Sequence, residues 1–341
     1  MDRKKQIVYL QWLRLFAAGA VVLMHTAASR WYGVPTDSAR WLALTWWDSA
    51  ARWPVPVFLM ITGAIFLPRK TAVRDAICRY APRMAAAYLI WALIYALYYA
   101  EPGAGFRELA TTVAQGHYHL WYLPFLCGVY LMLPFLQKIA EDEKLTRALL
   151  GLGMVIALGI PWTVDLLAAL IPQWSTALRA VENHLHFTFF FDHLSLLVLG
   201  HVLNQREIAV RVRRLLYAGG LLSIPLTLAG TVWMTRVTGA PSSIFFDHAS
   251  PTTLCAAAAL FVFAKYELTA LPKWAAWLAE RSFGVYLVHS LVIEIMGERG
   301  LTVLIFDPIW WTPVVALMAF LVSTIIAAVL GKIPVLGKYL A

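Results

Sequence analysis

The first apolar run of the sequence contains two residues that can do chemistry, Arg14 and His25. In an α-helix, eleven residues at about 100° each make three turns plus about 20°, so both side chains lie on one face, about 16 Å apart along the axis. An arginine inside a membrane costs roughly 2.5–3.5 kcal/mol on insertion scales, so it must face the protein interior or a water-filled path. A neutral imidazole can take a proton from a hydroxyl and return it.

Both residues also have a structural interpretation. An intramembrane arginine can pair with a buried carboxylate, and a histidine can hydrogen-bond to a neighbouring helix. The occurrence of both on one face of one helix favours a functional site over two separate structural contacts. We therefore interpret Arg14 and His25 as a functional pair on one interior face of the first helix.

The composition indicates what kind of element must hold this pair. Of the 341 residues, 61% are apolar and only 14% are charged, and the mean hydropathy is +0.68. Soluble domains hold roughly 25% charged residues and under about 50% apolar ones, so a water-soluble globule is excluded. The net charge of +9 is spread in short groups between apolar runs. We therefore expect lipid contacts and no nucleic-acid partner.

Ten apolar runs approach or exceed the roughly 17 residues that a helix needs to cross a membrane. They lie at residues 7–27, 53–68, 83–100, 119–137, 148–170, 187–203, 215–235, 250–266, 282–297 and 312–331. Only helices satisfy their backbone in lipid without closing a barrel. The sequence therefore predicts an all-α membrane protein, a polytopic bundle of about ten transmembrane helices that forms a single domain over residues 1–341.

The distribution of basic residues predicts the orientation of this bundle. With ten spans, 20 Lys and Arg residues fall on the side of the N-terminus and 7 on the opposite side. This excess predicts that both termini are cytoplasmic. The two longest hydrophilic segments, about 28–52 and 101–118, then lie outside.

A cluster of basic residues precedes and opens the third span. It consists of Arg69, Lys70, Arg74, Arg79 and Arg83. Arginine can grip phosphate through two parallel hydrogen bonds, so the cluster suits an anionic ligand on the cytoplasmic side. A positive-inside cluster against anionic lipid is the alternative interpretation.

Polar and aromatic residues near the outer face are candidates for substrate binding. Trp121 and Tyr122 open the fourth span beside His117 and His119. They can stack on a sugar or line an outer mouth, or belong to an interfacial aromatic belt. We predict that His119, Trp121 and Tyr122 bind substrate.

The ninth span carries two further polar residues, His289 and Glu294. Either can meet Arg14 across the bundle, as a catalytic or a structural partner. We predict both as substrate-binding residues. Asp192 and His193, in the outer part of the sixth span, are interpreted as a structural pair, since adjacent residues on a helix point about 100° apart.

Metal and disulfide sites are not expected. The three cysteines, Cys78, Cys127 and Cys255, are far apart, and no CxxC or histidine-rich spacing accompanies them. A disulfide framework or a zinc site is therefore not indicated. The sequence also has no glycine-rich phosphate loop, which argues against an ATP-driven pump.

Five segments carry a resemblance to the acyltransferase 3 family of membrane O-acyltransferases. They are RLFAAGAVVLMH (Arg14 to His25), VPVFLMITGAIFL (Val55 to Leu67), RYAPRMAAAYLIWALIY (Arg79 to Tyr95), HLWYLPFLCGVYLMLPFL (His119 to Leu136) and SFGVYLVHSLVI (Ser282 to Ile293). The first shows the family's Arg-x10-His spacing. Arg79-x3-Arg83 differs from the family's usual Arg-x2-Arg.

The resemblance implies a function. An acyl-CoA donor, usually acetyl-CoA, would bind from the cytoplasm with Arg14, Arg79 and Arg83 as its contacts, and its thioester would approach His25. The acceptor would be a hydroxyl of an extracytoplasmic glycan, an envelope polysaccharide or a lipid-linked sugar, and the enzyme would be an O-acetyltransferase of a bacterial inner membrane. Arg14 and His25 would be the catalytic residues, with His25 as the base. Either direct transfer or a covalent acyl-imidazole is compatible with a histidine.

Transport is the alternative function. A ten-helix bundle with an interior arginine and histidine suits the movement of a glycan, a small anionic solute or protons. A transporter more typically carries inverted repeats or paired broken helices, and the sequence has neither. We therefore favour the acyltransferase interpretation.

Overall fold

A computed structural model describes residues 3–185, 193–334 and 337–340. Within these residues the regular elements are all helices. The principal ones are α1 (Arg3–Ala28), α2 (Ala39–Ala50), α3 (Pro54–Phe66), α4 (Ala81–Tyr99), α5 (Phe106–Gln115), α6 (Tyr122–Ala140), α7 (Glu143–Leu152), α8 (Ile160–Leu170), α9 (Ser175–Leu185), α10 (Leu194–Gln205), α11 (Val210–Thr238), α12 (Pro251–Glu267), α13 (Lys273–Glu280), α14 (Ser282–Glu298) and α15 (Pro308–Leu330).

Among the described residues, eight helical stretches are long and apolar enough to cross a membrane. They are Ile7–Gly33, Ala39–Phe66, Val73–Tyr99, Tyr122–Ala140, Glu143–Leu170, Val210–Thr238, Ile244–Glu267 and Pro308–Leu330. The shorter helices α10 and α14 occupy the two remaining predicted runs, although the start of the run at 187–203 lies outside the described residues. The prediction of an all-α, multi-pass membrane protein is confirmed.

Side chains that accept from free backbone N–H groups mark where several helices begin. The Ser38 hydroxyl accepts from Trp41 N at the start of α2, and the Ser250 hydroxyl accepts from Thr253 N at the start of α12. The carboxylate of Asp142 does the same for the first turn of α7. Such caps satisfy N–H groups that have no partner within the helix.

The two long hydrophilic segments contain helices of their own. Residues 28–52 include α2, in which Trp41, Leu44 and Asp48 are buried. Residues 101–118 include α5, none of whose residues is buried. Since α2 is continuous with α3 except for a short break near Trp53, part of the first segment belongs to the bundle.

Helix α1 lies at the centre of the bundle. It packs against α2, α3, α12, α13, α14 and α15. Its residues Leu13, Ala17 and Val22 are fully buried in apolar clusters, whereas Arg14 and His25 are only partly buried. This central position explains how residues of α1 can contact side chains from several other helices.

Helices α3 and α10 cross with their backbones in close contact. A Cβ atom on Gly63 would lie 1.8 Å from the Leu197 carbonyl oxygen, and one on Gly200 would lie 2.1 Å from the Met60 carbonyl oxygen. Small residues permit such crossings in membranes, where close packing replaces the hydrophobic drive between helices. Both glycines are therefore required by the approach of neighbouring backbone.

We expect Gly63→Ala and Gly200→Ala each to destabilise the protein. Each added methyl overlaps a backbone carbonyl that cannot rotate away, and overpacking of this kind costs about 1–3 kcal/mol or more. Thermal unfolding in detergent measures the effect. Gly128→Ala in α6 is the matched control, because nothing lies within 4 Å of its Cβ position. Equal melting temperatures for the three variants would contradict the close crossing.

Candidate active site

A cavity of about 510 Å³ follows α1 from Arg14 to His25. Its volume lies within the range of about 300–1,000 Å³ that small-molecule sites occupy. Its walls come from α1, α3, α4, α6, α14 and the segments that precede α3, α6, α12 and α14. The polar and aromatic lining residues are Arg14, His25, Arg52, Phe58, Thr62, Phe66, Arg83, Tyr118, His119, Trp121, Tyr122, Tyr130, Phe246, His248, Glu280, Ser282, Phe283 and Tyr286.

The end of the cavity near Arg14 is cationic. Arg14 has no carboxylate partner among the ion pairs of the described residues. Arg83 lines the same cavity, and its guanidinium carbon lies 5.8 Å from the centroid of the Phe283 ring. A positively charged guanidinium that lines a cavity without a carboxylate partner is suited to bind an anion or a polarised carbonyl oxygen.

Arg79 occupies a different environment from Arg83. It is exposed, and its guanidinium lies 5.7 Å from the centroid of the Tyr80 ring rather than along the cavity. It belongs to a π-helical turn, Ala76–Tyr80, that precedes α4. The structure therefore brings Arg14 and Arg83 together along one cavity, with Arg79 outside its lining.

At the other end, the His25 ring is surrounded by aromatic and imidazole rings. Its centroid lies 5.1 Å from that of His289, 5.2 Å from that of Tyr118 and 6.5 Å from that of His119. His289 comes from α14 and is fully buried. His289 contacts His25 and does not meet Arg14. A contact between His289 and Arg14 was one of the sequence-based expectations.

His119 is hydrogen-bonded to a fourth imidazole, that of His117. Its Nδ1 lies 2.8 Å from Nδ1 of His117. Burial lowers the pKa of His117 to about 4 and holds the pKa of His119 well below its usual value. Both rings are therefore neutral at pH 7, and one donates the hydrogen bond that the other accepts. The Tyr286 hydroxyl donates to the His119 carbonyl oxygen at 2.6 Å and fixes this segment to α14.

Trp121 and Tyr122 both line the cavity, but in different ways. The Trp121 side chain is 41% exposed, and its ring stacks on that of His248 at 6.0 Å between centroids. Tyr122 is only partly exposed and packs near Phe58 and Tyr286. Trp121 thus presents a flat apolar surface at the His25 end, a surface suited to the face of a sugar ring.

Arg52 is a lining residue that the sequence analysis did not single out. Its guanidinium lies 2.5 Å from the carboxylate of the buried Asp48 and 4.1 Å from the centroid of the Phe246 ring. The signal in the sequence was a pair of opposite charges four residues apart within an otherwise apolar, tryptophan-rich stretch. Asp48 and Phe246 hold this cation in place at the cavity wall.

Other candidate residues are not part of the cavity lining. Glu294 is exposed on α14 and is not part of the lining. His193 precedes α10, and its ring contacts those of Trp121, Phe125 and His248. Asp192, interpreted with His193 as a structural pair, lies outside the described residues. The His, Cys, Asp and Glu side chains that are described form no group of three arranged to hold a metal ion.

The cavity combines the parts that a group transfer needs. It offers a cation at one end, an imidazole at the other and an aromatic surface beside the imidazole. A cation stabilises developing negative charge, and an imidazole moves a proton. The lining thus suits a reaction between an anionic or carbonyl-bearing ligand and a hydroxyl-bearing one.

Comparison with known proteins identifies the family. The model of the acyltransferase 3 family, described as an acyltransferase domain, matches residues 7–328. No curated protein and no solved structure matches the chain. The match covers nearly the whole sequence, including α1 with Arg14 and His25 and all the helices that line the cavity. The chain therefore belongs to the acyltransferase 3 family of membrane acyltransferases.

Proposed function

We propose that this acyltransferase moves an acyl group, acetyl in the first instance, from cytoplasmic acyl-CoA to a hydroxyl of an extracytoplasmic glycan or lipid-linked sugar. The observation that carries the proposal is that one cavity is lined by both Arg14 and His25. Along α1 these residues are about 16 Å apart, so a donor that enters beside Arg14 must extend a long arm to bring its reacting carbon to His25. The pantetheine arm of acyl-CoA has this extended form.

The positive charge near Arg14 supports the binding of the donor at this end of the cavity. Arg14 and Arg83 line the cavity there, and Arg14 has no carboxylate partner among the described ion pairs. Two guanidinium groups suit the phosphates of a nucleotide-containing donor. Arg79 is exposed and four residues before Arg83, and we assign it to the parts of the donor that remain in solvent.

An aromatic surface and hydrogen-bonding groups support the binding of the acceptor at the other end of the cavity. Trp121 offers a partly exposed indole, and Tyr118, His248 and Arg52 line the cavity around it. Flat aromatic faces pack against the C–H faces of sugars, and the polar groups can take their hydroxyls. These features support a glycan or a lipid-linked sugar of the envelope as the acceptor.

His25 is the residue that we assign as the base. Its imidazole takes the proton of the acceptor hydroxyl as the oxygen forms a bond to the thioester carbon. The carbon–sulfur bond then breaks, and the imidazolium returns the proton to the thiolate that leaves. No proton is gained or lost overall. Arg14, about 16 Å away along α1, contacts the donor at its charged end and does not reach the reacting carbon.

We propose that the protein lies in a bacterial inner membrane with both termini in the cytoplasm. The 20 to 7 distribution of basic residues supports this orientation. We expect a cysteine introduced at the exposed Asp37 to react only with reagent added from outside, and the native, exposed Cys78 only with reagent added from inside. A Cys78→Ser background separates the two signals. Labelling of both positions from one side would contradict the orientation.

Reconstitution into vesicles tests the reaction itself. Labelled acetyl-CoA is enclosed on the side of the termini, and envelope glycan or lipid-linked sugar is supplied on the other side. We expect label on the acceptor only in the compartment that received no acetyl-CoA. Movement of glycan or anionic solute without acyl transfer would favour the transport function instead.

A further inference from the structure

The His289 imidazole on α14 has a fixed arrangement of its ring proton. Its Nδ1 lies 2.7 Å from the Tyr286 carbonyl oxygen and 3.2 Å from that of Val285. A carbonyl oxygen only accepts hydrogen bonds, so Nδ1 must carry the proton. His289 is fully buried and has no carboxylate partner among the described ion pairs, so the cost of desolvating a charge keeps the ring neutral. Its Nε2 is consequently an acceptor.

This acceptor is unused within the described structure. Nε2 of His289 is buried and makes no hydrogen bond. Leaving such a group unsatisfied costs about 1–3 kcal/mol. Because Nδ1 turns back to carbonyls of its own helix, Nε2 is directed away from α14. Two imidazoles have ring centroids 5.1 Å from that of His289: His25 of α1, whose plane is tilted by 34°, and His119.

We propose that His289 is a positioning residue for the acyl transfer: when the His25 ring turns toward it, the unpaired Nε2 of His289 accepts the ring N–H of His25 and so holds His25 in the one tautomer that can act as a base. The inference rests on the proposed function of His25. A histidine that must present a lone pair to a hydroxyl carries its proton on the other nitrogen. An acceptor for that proton fixes both the tautomer and the ring orientation, and it stabilises the imidazolium that forms during transfer.

The use of an imidazole instead of a carboxylate has a physical reason. A carboxylate beside His25 would add a second buried charge, which is costly unless it is fully paired. A neutral acceptor orients His25 without that cost. The other titratable or charged groups that face His25 are Tyr118, His117 and His119 from the segment before α6, and Arg52 from the end of α2. None of these is a carboxylate.

His119 is the competing candidate, and two observations favour His289 over it. The His119 ring centroid is 6.5 Å from that of His25, against 5.1 Å for His289. Its Nδ1 is already hydrogen-bonded to Nδ1 of His117, and a backbone hydrogen bond to Leu287 also engages its ring. His289 has two carbonyl oxygens as partners and therefore a single possible tautomer.

The first test does not depend on catalysis. Nitrogen chemical shifts of ¹⁵N-labelled histidine in lipid nanodiscs report the tautomer of each ring, and His25→Ala identifies the His25 signals. We expect a single His25 tautomer in the wild type and in His289→Gln, whose side-chain oxygen also accepts. We expect a mixture of tautomers in His289→Leu. A mixture in the wild type, or one unchanged tautomer in His289→Leu, overturns the inference whether or not the protein transfers acyl groups.

The second test uses the transfer rate in reconstituted vesicles. We expect His289→Leu to lower kcat by about 10–100-fold, the usual loss when a group that orients a reactive histidine is removed. The KM for acetyl-CoA should stay within about twofold of wild type, His289→Gln should recover most of kcat, and His119→Leu should cost less. In a His25→Ala background, His289→Leu should lower the residual rate no further, because the two residues act as a unit.

The outcomes are distinguishable. An equal fold-loss from His289→Leu in the wild-type and His25→Ala backgrounds would overturn the inference and give His289 a general structural role. A loss confined to KM would place it on the substrate instead. If the wild type transfers no acyl group at all, the proposed function fails, and the tautomer measurement still decides the relation between His289 and His25.

Discussion

Replacing His25 with alanine should lower the rate of acyl transfer by about 10²–10⁴-fold or more, the range that general acid–base catalysis contributes. Acyl-CoA should still bind from the side of the termini, because the donor contacts are at the other end of the cavity, beside Arg14. Equilibrium binding of acetyl-CoA and single-turnover transfer, measured on the same preparation, separate the two effects. The wild-type rate should also fall at low pH, where the imidazole is protonated and can no longer act as a base.

His201→Ala is the matched control for this variant. His201 also belongs to a helix of the bundle, α10, but it does not line the cavity. We expect nearly wild-type transfer from it. If transfer survives His25→Ala, the base lies elsewhere, and His119 and His289 are the next residues to replace.

Replacing Arg14 with alanine should weaken the binding of acetyl-CoA, and so lower transfer at limiting acetyl-CoA, by about 10–150-fold, because a hydrogen bond to a charged group contributes roughly 1.5–3 kcal/mol. Folding should be largely retained, because the substitution removes a cation that has no carboxylate partner among the described ion pairs. Arg14→Lys should fail nearly as badly, since an ammonium group cannot make two parallel hydrogen bonds. Transfer rate, acetyl-CoA binding and thermal unfolding are the measurements.

Arg147→Ala controls for the general loss of positive charge. Its guanidinium is exposed and pairs with Glu143 at 3.0 Å, outside the cavity. We expect no change in donor binding from this variant. Wild-type donor affinity and turnover in Arg14→Lys would mean that Arg14 only balances charge.

Much of the fold was accessible from the sequence. Within the described residues, helices lie at the ten predicted runs, the one at 187–203 from Leu194 onward, because in lipid the backbone must be satisfied within each segment. The spacing of Arg14 and His25 also predicted that both would face one interior path, and both line the cavity. These inferences depend on local periodicity, which a single sequence carries.

The features that could not be predicted from the sequence depend on contacts between distant segments. The approach of His289 to His25 joins residues 264 positions apart, and nothing local in α14 predicts which ring its imidazole will meet. Arg79 and Arg83, four residues apart, would share a face in a regular helix. Arg79 lies in the π-helical turn Ala76–Tyr80, whereas Arg83 lies in α4 and lines the cavity. Arg52 was overlooked because its role depends on Asp48 and Phe246 around it.

The charge of the cavity lining affects which ions can pass through the protein. Arg14, Arg52 and Arg83 line the cavity, while Glu280 and the Asp48 that pairs with Arg52 supply the nearby negative charge. A water-accessible path with excess positive charge repels hydronium and metal cations, as arginines do in selective pores. We therefore expect vesicles that contain this protein to hold a proton gradient even while substrates occupy the path from both ends. An energy-conserving membrane can then carry the protein without dissipating its proton-motive force.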